Sequence, residues 1–487
     1  MQTNTHFNVP DFFSRNEKSL FWASGLLSIV FLGVGIYVEH SLYCIIPFAL
    51  LFLALILLNF RIVFFILLLV LPVSVEAYIG SFGTDLPSEP IVILLAGCAL
   101  FYLVLNREEL RQKSFRHPIS IILLLMLGWS AFATLFSTDI ILSIKYMLAK
   151  SWYLLGFFIL PMLLLRDKKD IKLFFWCLFI PTYLSVFYVL VRHGMMEFSF
   201  DSITNAVHPL YRNHVNYAVF ITMFLPFLFL AKKWYPKNYV RYNIIKYAIP
   251  VFLAAIYLSY TRGAWLAAFA MFGYYLVLRF NLTKYILIVA GIATITFSVY
   301  ILKDNNYLKY SPNFEHTIYH DELAEHLTST FEMEDMSTVE RFYRWIAAIN
   351  LFKENPIVGV GPNNFVANYK KYTVTAYETY ISDNEEKSTV HNYFLLLLTE
   401  QGLPALVLFI ALVAVVLLTA QQTYNSVSAE QKKYVAAITL CIVAFLLNNT
   451  LSDLVEANKV GSLFFICLGL LVNFSSDAVS IREEDFT

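Results

Sequence analysis

The chain is poor in charge. Asp, Glu, Lys and Arg make up 14% of its 487 residues, and 35 basic residues balance 35 acidic ones. A net charge of zero gives no basic surface for a phosphate backbone, so no nucleic acid is expected as a partner. Cysteine is scarce as well. All five (Cys44, Cys98, Cys177, Cys441 and Cys467) fall inside apolar runs, which argues against disulfides and against a thiolate metal site. Residues 1–19 are polar, mixed in charge and without a small-residue cleavage pattern, so no removable leader is expected.

Apolar residues fill the space. They account for 59% of the chain, and the mean hydropathy is +0.63. A soluble fold this apolar could not cover its surface with polar groups. About 20 apolar residues cross a hydrocarbon core roughly 30 Å thick. Candidate spans of about that length fall at 20–38, 42–59, 62–79, 90–105, 118–136, 147–165, 171–191, 215–231, 243–258, 263–280, 285–302, 403–420, 434–448 and 460–474. The fold expected is an all-α polytopic integral membrane protein of about 12–14 transmembrane helices. Alternate connections carry the Lys and Arg residues: Arg61; Arg107, Arg111, Lys113 and Arg116; Arg166, Lys168 and Lys169; Lys232, Lys233, Lys237 and Arg241; Arg279 and Lys284; Lys432 and Lys433. By the positive-inside rule these connections and both termini are cytoplasmic, and segment 303–390 is external. The chain divides into N-terminal helices (1–302), a large external loop (303–390), C-terminal helices (391–474) and a tail (475–487).

The external loop is polar, and its second half carries a helix signal. Ser337 and Glu340 have capping-box spacing, and Phe342, Trp345, Ile346, Ile349 and Phe352 come after them at helical intervals. That helix should end near Asn355-Pro356, before a glycine turn at Gly359-Val360-Gly361-Pro362.

Three polar groupings fall on the external side. Thr261-Arg262-Gly263 sits at a span junction, where an arginine snorkelling to the interface is the ordinary explanation. Arg341 and Arg344 lie on the loop helix, ahead of the glycine turn. His391-Asn392 stands where the loop returns to the membrane, with Glu400 inside the apolar stretch beyond it. A carboxylate there is costly unless functional or paired. Nine residues of regular helix would put His391 and Glu400 on nearly opposite faces, so either the helix breaks near Gly402-Leu403-Pro404 or Glu400 supports something else. Arg212-Asn213-His214 forms a further cluster. His316, His320 and His326, with Glu315, Asp321 and Glu322, have the residue types of a metal site, but solvated helix faces commonly look the same, and no metal is expected.

The order and spacing of Thr261-Arg262-Gly263, Arg341, Asn355-Pro356…Gly359-Val360-Gly361…Phe365 and His391-Asn392…Leu395…Glu400…Gly402 resemble the O-antigen ligase and O-antigen polymerase superfamily. The resemblance implies a bacterial inner-membrane glycosyltransferase with a periplasmic loop and no cofactor. Such an enzyme moves a glycan from a polyprenyl (undecaprenyl) diphosphate donor to an acceptor hydroxyl, for the ligases that of lipid A–core, by an inverting, metal-independent transfer. On this resemblance Arg262 and Arg341 hold the diphosphate and His391 is the general base, with Arg344, Glu400 and Asn392 as further substrate contacts. By position outside a span, Arg212 and His214 are expected to line the same cavity as substrate contacts. Polymerases of the same superfamily share these motifs. The short segment 192–214, where a polymerase would carry a second large loop, favours the ligase. A flippase or other transporter would need no folded loop bearing Arg341 and His391, and no internal repeat of the transporter kind is visible.

Overall fold

The computed structural model describes residues 59–79, 82–310, 336–378, 382–384 and 388–476, together with scattered helical positions between 22 and 34. Most of the first two expected spans and the histidine cluster at 316–326 lie outside the described residues. Elsewhere the chain is helical apart from one hairpin. In order, the helices are α1 (Asn59–Val73), α2 (Ser88–Leu105), α3 (Pro118–Thr134), α4 (Ile140–Leu164), α5 (Lys168–Gly194), α6 (His214–Ala231), α7 (Val240–Tyr257), α8 (Arg262–Arg279), α9 (Thr283–Leu302), α10 (Met336–Glu354), α11 (Tyr393–Ser426), α12 (Ala429–Asn448) and α13 (Asn458–Ser475). Of these, α2, α4, α5, α6, α9, α11 and α13 are long and apolar enough to cross a membrane. Shorter α1 and α3 are also apolar, while α7, α8 and α12 carry charged residues toward their ends.

The span expected at 62–79 is half right. Leu71-Pro72-Val73 forms a 3-10 turn, because Pro72 lacks an N–H and its ring crowds the preceding turn. The chain then extends into β1 (Val75–Ile79), which pairs antiparallel with β2 (Phe82–Leu86) from Val75↔Leu86 to Ile79↔Phe82.

Helices α6, α12 and α13 form the centre of the bundle and are mostly buried. Phe445 stacks on Phe464 across α12 and α13 at 3.9 Å between ring centroids. Around this centre α8 lies against α12, and α3 against α11. At the other extreme, α9 buries only Thr283. Helix α10 ends at Glu354, one residue before Asn355-Pro356, as its sequence predicts. Its buried face is Val339, Phe342, Tyr343, Ile346, Ala347 and Leu351, rotated from the expected one so that Ile349 and Phe352 are only partly covered.

Candidate functional site

The site is built around a break in α11. Pro404 has no N–H to give to the Glu400 carbonyl one turn earlier, so that carbonyl is left open. Gly402 adopts φ 74°, ψ −176°, a region only glycine enters without strain. The loop after α10 fills the gap. Val360 N–H donates to the Thr399 carbonyl at 3.1 Å, Gly361 N–H to the Glu400 carbonyl at 2.8 Å, and Leu403 N–H to the Pro356 carbonyl at 2.9 Å. A Cβ on Gly402 would sit inside the Ile357 carbonyl, and one on Gly359 inside the Glu400 backbone. On the other side of the break, Trp129 of α3 donates to the Gln401 carbonyl at 2.8 Å.

Glu400 completes this clasp. Its carboxylate accepts from Asn363 N–H at 2.7 Å and Phe365 N–H at 3.0 Å, and the residue is 4% exposed. Glu400, expected as a substrate contact, fixes the loop through these two bonds. Fully buried Asn364 docks the same loop onto the α3–α4 turn, donating to Ser137 Oγ at 2.9 Å and Ser143 Oγ at 2.8 Å and accepting from Asp139 N–H at 3.1 Å. Glu400→Gln would keep one acceptor oxygen but aim an NH2 at a backbone N–H. Losing a hydrogen bond and leaving an N–H unpaired in a buried site costs about 1–3 kcal/mol. The variant should therefore unfold at lower temperature, which intrinsic fluorescence in detergent would show.

His391 lies just ahead of α11 at φ 56°, a left-handed conformation uncommon outside glycine but entered by histidine more readily than by most residues. The next two residues anchor it there. Asn392 caps α11, accepting from Leu395 N–H at 3.1 Å and donating to the Thr450 carbonyl at 3.0 Å, while Tyr393 N–H donates to the Asn449 carbonyl at 3.0 Å. Both ends of the Asn392 amide thus bond to the chain itself, and the residue, expected as a substrate contact, caps α11. The His391 imidazole comes to Asp453, Nδ1 to Oδ1, at 3.9 Å. Burial, then the Arg344 and Arg341 guanidiniums, hold the His391 pKa down to about 3. Burial raises Asp453 to about 6, and nearby Glu456 adds to this against the opposing pull of Arg344 and Arg212.

The arginines enter from three directions. On α10, Arg344 is buried and donates to Glu340 at 3.2 Å, and Glu340 also accepts from Ser382 Oγ at 2.7 Å. Arg341, one turn earlier, is partly exposed. Arg212 precedes α6 and is felt by Asp453. His214 is bound side chain to side chain by Thr204 at 2.9 Å. Arg262 is the first residue of α8, after Tyr260 at φ 52°. A cation at the positive end of a helix is disfavoured by roughly 0.3–1 kcal/mol unless an anion joins it. Helix α8 begins against the turn after α12: a Cβ on Gly263 would lie 3.3 Å from Asn448 Oδ1 and 3.9 Å from Leu451 Cδ1. That turn, 448–453, also receives Asn392 and Tyr393 and carries Asp453. The arginine motif of α8 and the histidine motif of α11 therefore fasten to one short turn.

Asp453 is the site residue missed by sequence reasoning. Its signal was present, an acid in the polar run Asn448-Asn449-Thr450-Leu451-Ser452-Asp453 between two spans. A short polar turn between spans reads as a simple connection.

The arrangement offers a neutral imidazole backed by a carboxylate and flanked by guanidiniums, which suits proton removal beside a bound anion. Residues 247–410 match the family model described as O-Antigen ligase, a stretch that contains Arg262, Arg341, the clasp and His391. No curated protein matches the chain.

Proposed function

We propose, taking the O-antigen ligase match of residues 247–410 as the premise, that this membrane protein transfers a glycan from polyprenyl diphosphate to the hydroxyl of lipid A–core. The reaction would take place on the periplasmic face of the bacterial inner membrane, with both termini cytoplasmic. The observation that carries this reading is His391 set against Asp453 under the influence of Arg341 and Arg344.

In this mechanism the acceptor hydroxyl attacks the anomeric carbon as the polyprenyl diphosphate departs with the bonding electrons, inverting the configuration. Arg341 and Arg262 bind the diphosphate and stabilise its growing charge. Arg344, tied to Glu340, supports that field. His391 takes the hydroxyl proton, and the Asp453 carboxylate orients and stabilises the resulting imidazolium. The 3.9 Å between them closes as substrate orders the site. A bound diphosphate also offsets the two guanidiniums that depress His391, so the base strengthens as the donor arrives. No metal ion is required by these steps.

Asp453 must be ionised to assist. With its pKa near 6, it is a carboxylate at pH 7 and protonated at pH 5, so transfer should fall as pH drops through 6. Asp453→Asn should slow transfer by about tenfold to a hundredfold and remove that acid limb, as rate–pH profiles of both proteins would show.

The function itself is tested by the glycolipids of cells lacking the protein. Full-length chains left on the polyprenyl carrier, moved to lipid A–core only when wild type is restored, would support a ligase. Cores capped by a single repeat unit would make it a polymerase instead. Full complementation by His391→Ala would return transport to the front.

A further inference from the structure

A second polar knot lies beside His391, and the transfer chemistry makes no use of it. Lys150 of α4 donates to Glu456 Oε1 at 2.6 Å and to the Tyr393 hydroxyl at 3.3 Å. Tyr146, one turn earlier on α4, donates to the same carboxylate oxygen at 2.9 Å, and Tyr393 donates to it at 3.3 Å. Three donors thus converge on one oxygen. The ammonium also lies over the rings of Tyr146, Phe465 and Tyr393 at 5.7, 5.5 and 5.8 Å. The Lys150 side chain is only 12% exposed, so its charge depends on these partners.

The position of the knot gives it a second meaning. Tyr393 is two residues beyond His391. Glu456 is three beyond Asp453, across the single 3-10 turn Leu454–Glu456. The two segments that face each other at His391 and Asp453 are therefore tied again a few residues further on, and both are tied to α4. A small cavity of about 20 Å³ lies at the knot, lined by Tyr146, Lys150 and Tyr393 at its polar end and reaching Gln401 at the α11 break. The hydrogen bonds converging on Glu456 Oε1 therefore bear on the geometry of both segments.

We infer that Glu456 and Lys150 are positioning residues: their ion pair sets the Asp453 carboxylate against the His391 ring by holding the ends of both segments to α4. The inference rests on the transferase reading. Neither residue touches the reacting atoms. Both act through the segments they fasten, where a displacement near 1 Å can cost about a hundredfold in rate.

The test uses the full-length protein in nanodiscs, with an undecaprenyl-diphosphate oligosaccharide as donor and lipid A–core as acceptor. Glu456→Gln should lower kcat by about tenfold or more with the donor KM within about twofold of wild type. Lys150→Met combined with Glu456→Leu removes the pair as a unit and strands no charge. That double variant should unfold near the wild-type temperature yet remain slow. Recovery of kcat in the double variant would reduce the pair to a structural tie and overturn the inference. So would an unchanged kcat in Glu456→Gln, or a loss confined to donor KM. Absence of transfer by the wild-type protein would instead overturn the transferase reading.

Discussion

Replacing His391 with glutamine should slow glycan transfer by about two to four orders of magnitude while donor binding stays near wild type. Glutamine retains size and polarity but has no basic nitrogen, so the loss isolates proton removal from packing. A pKa held down to about 3 leaves the ring unprotonated throughout the physiological range but makes it a weak base, so proton removal relies on the bound diphosphate offsetting the guanidiniums. The left-handed φ of 56°, fixed from behind by the Asn392 cap, keeps it turned toward Asp453. Arg341→Ala and Arg262→Ala supply the contrast: they should raise the donor KM, since each removes a cation from the bound diphosphate. Transfer assays in proteoliposomes, run over a range of donor concentrations, separate the two patterns. Equal loss of donor binding in all three variants would refute the division of roles.

The largest effect on folding is expected at Gly402, where alanine should destabilise the protein by more than about 3 kcal/mol. Its φ and ψ carry a cost of roughly 1–3 kcal/mol for any other residue. The added methyl would also overlap the Ile357 carbonyl, so the loop after α10 must lift away. Lifting it breaks the bonds of Val360, Gly361 and Leu403 and uncovers Glu400 in an apolar setting. Thermal unfolding in detergent, with limited proteolysis of the loop, measures this directly. An alanine variant with wild-type unfolding temperature and an intact loop would show that the clasp contributes little.

The bundle was largely legible in the sequence, because a membrane span is a property of composition over a window and needs no knowledge of partners. Boundaries from 90 to 302 therefore agree with the structure within a few residues, except that α4 begins at Ile140, well before the expected 147. The hairpin at Val75–Leu86 was not legible: Val75, Ala77 and Ile79 continue the apolar run of α1, and only strand pairing tells them apart. The glycine turn was visible, but its purpose was not. Glycines at 359, 361 and 402 serve one contact between segments about forty residues apart, and a one-dimensional reading shows them as separate turns. His391 and Glu400 do part company as helical spacing implied, one turned to Asp453 and the other to the amides of Asn363 and Phe365. Asp453 escaped notice because its importance comes wholly from what the fold brings to it.

Helix α9 buries almost nothing, so cohesion does not account for it. On the transferase reading its contribution is one of parity. If α8 and α9 each cross the bilayer, the pair brings the chain back to the side on which Arg262 stands, and α11 with α12 does the same between His391 and Asp453. On that reading an odd number of crossings between any two of these residues would divide the site across the bilayer.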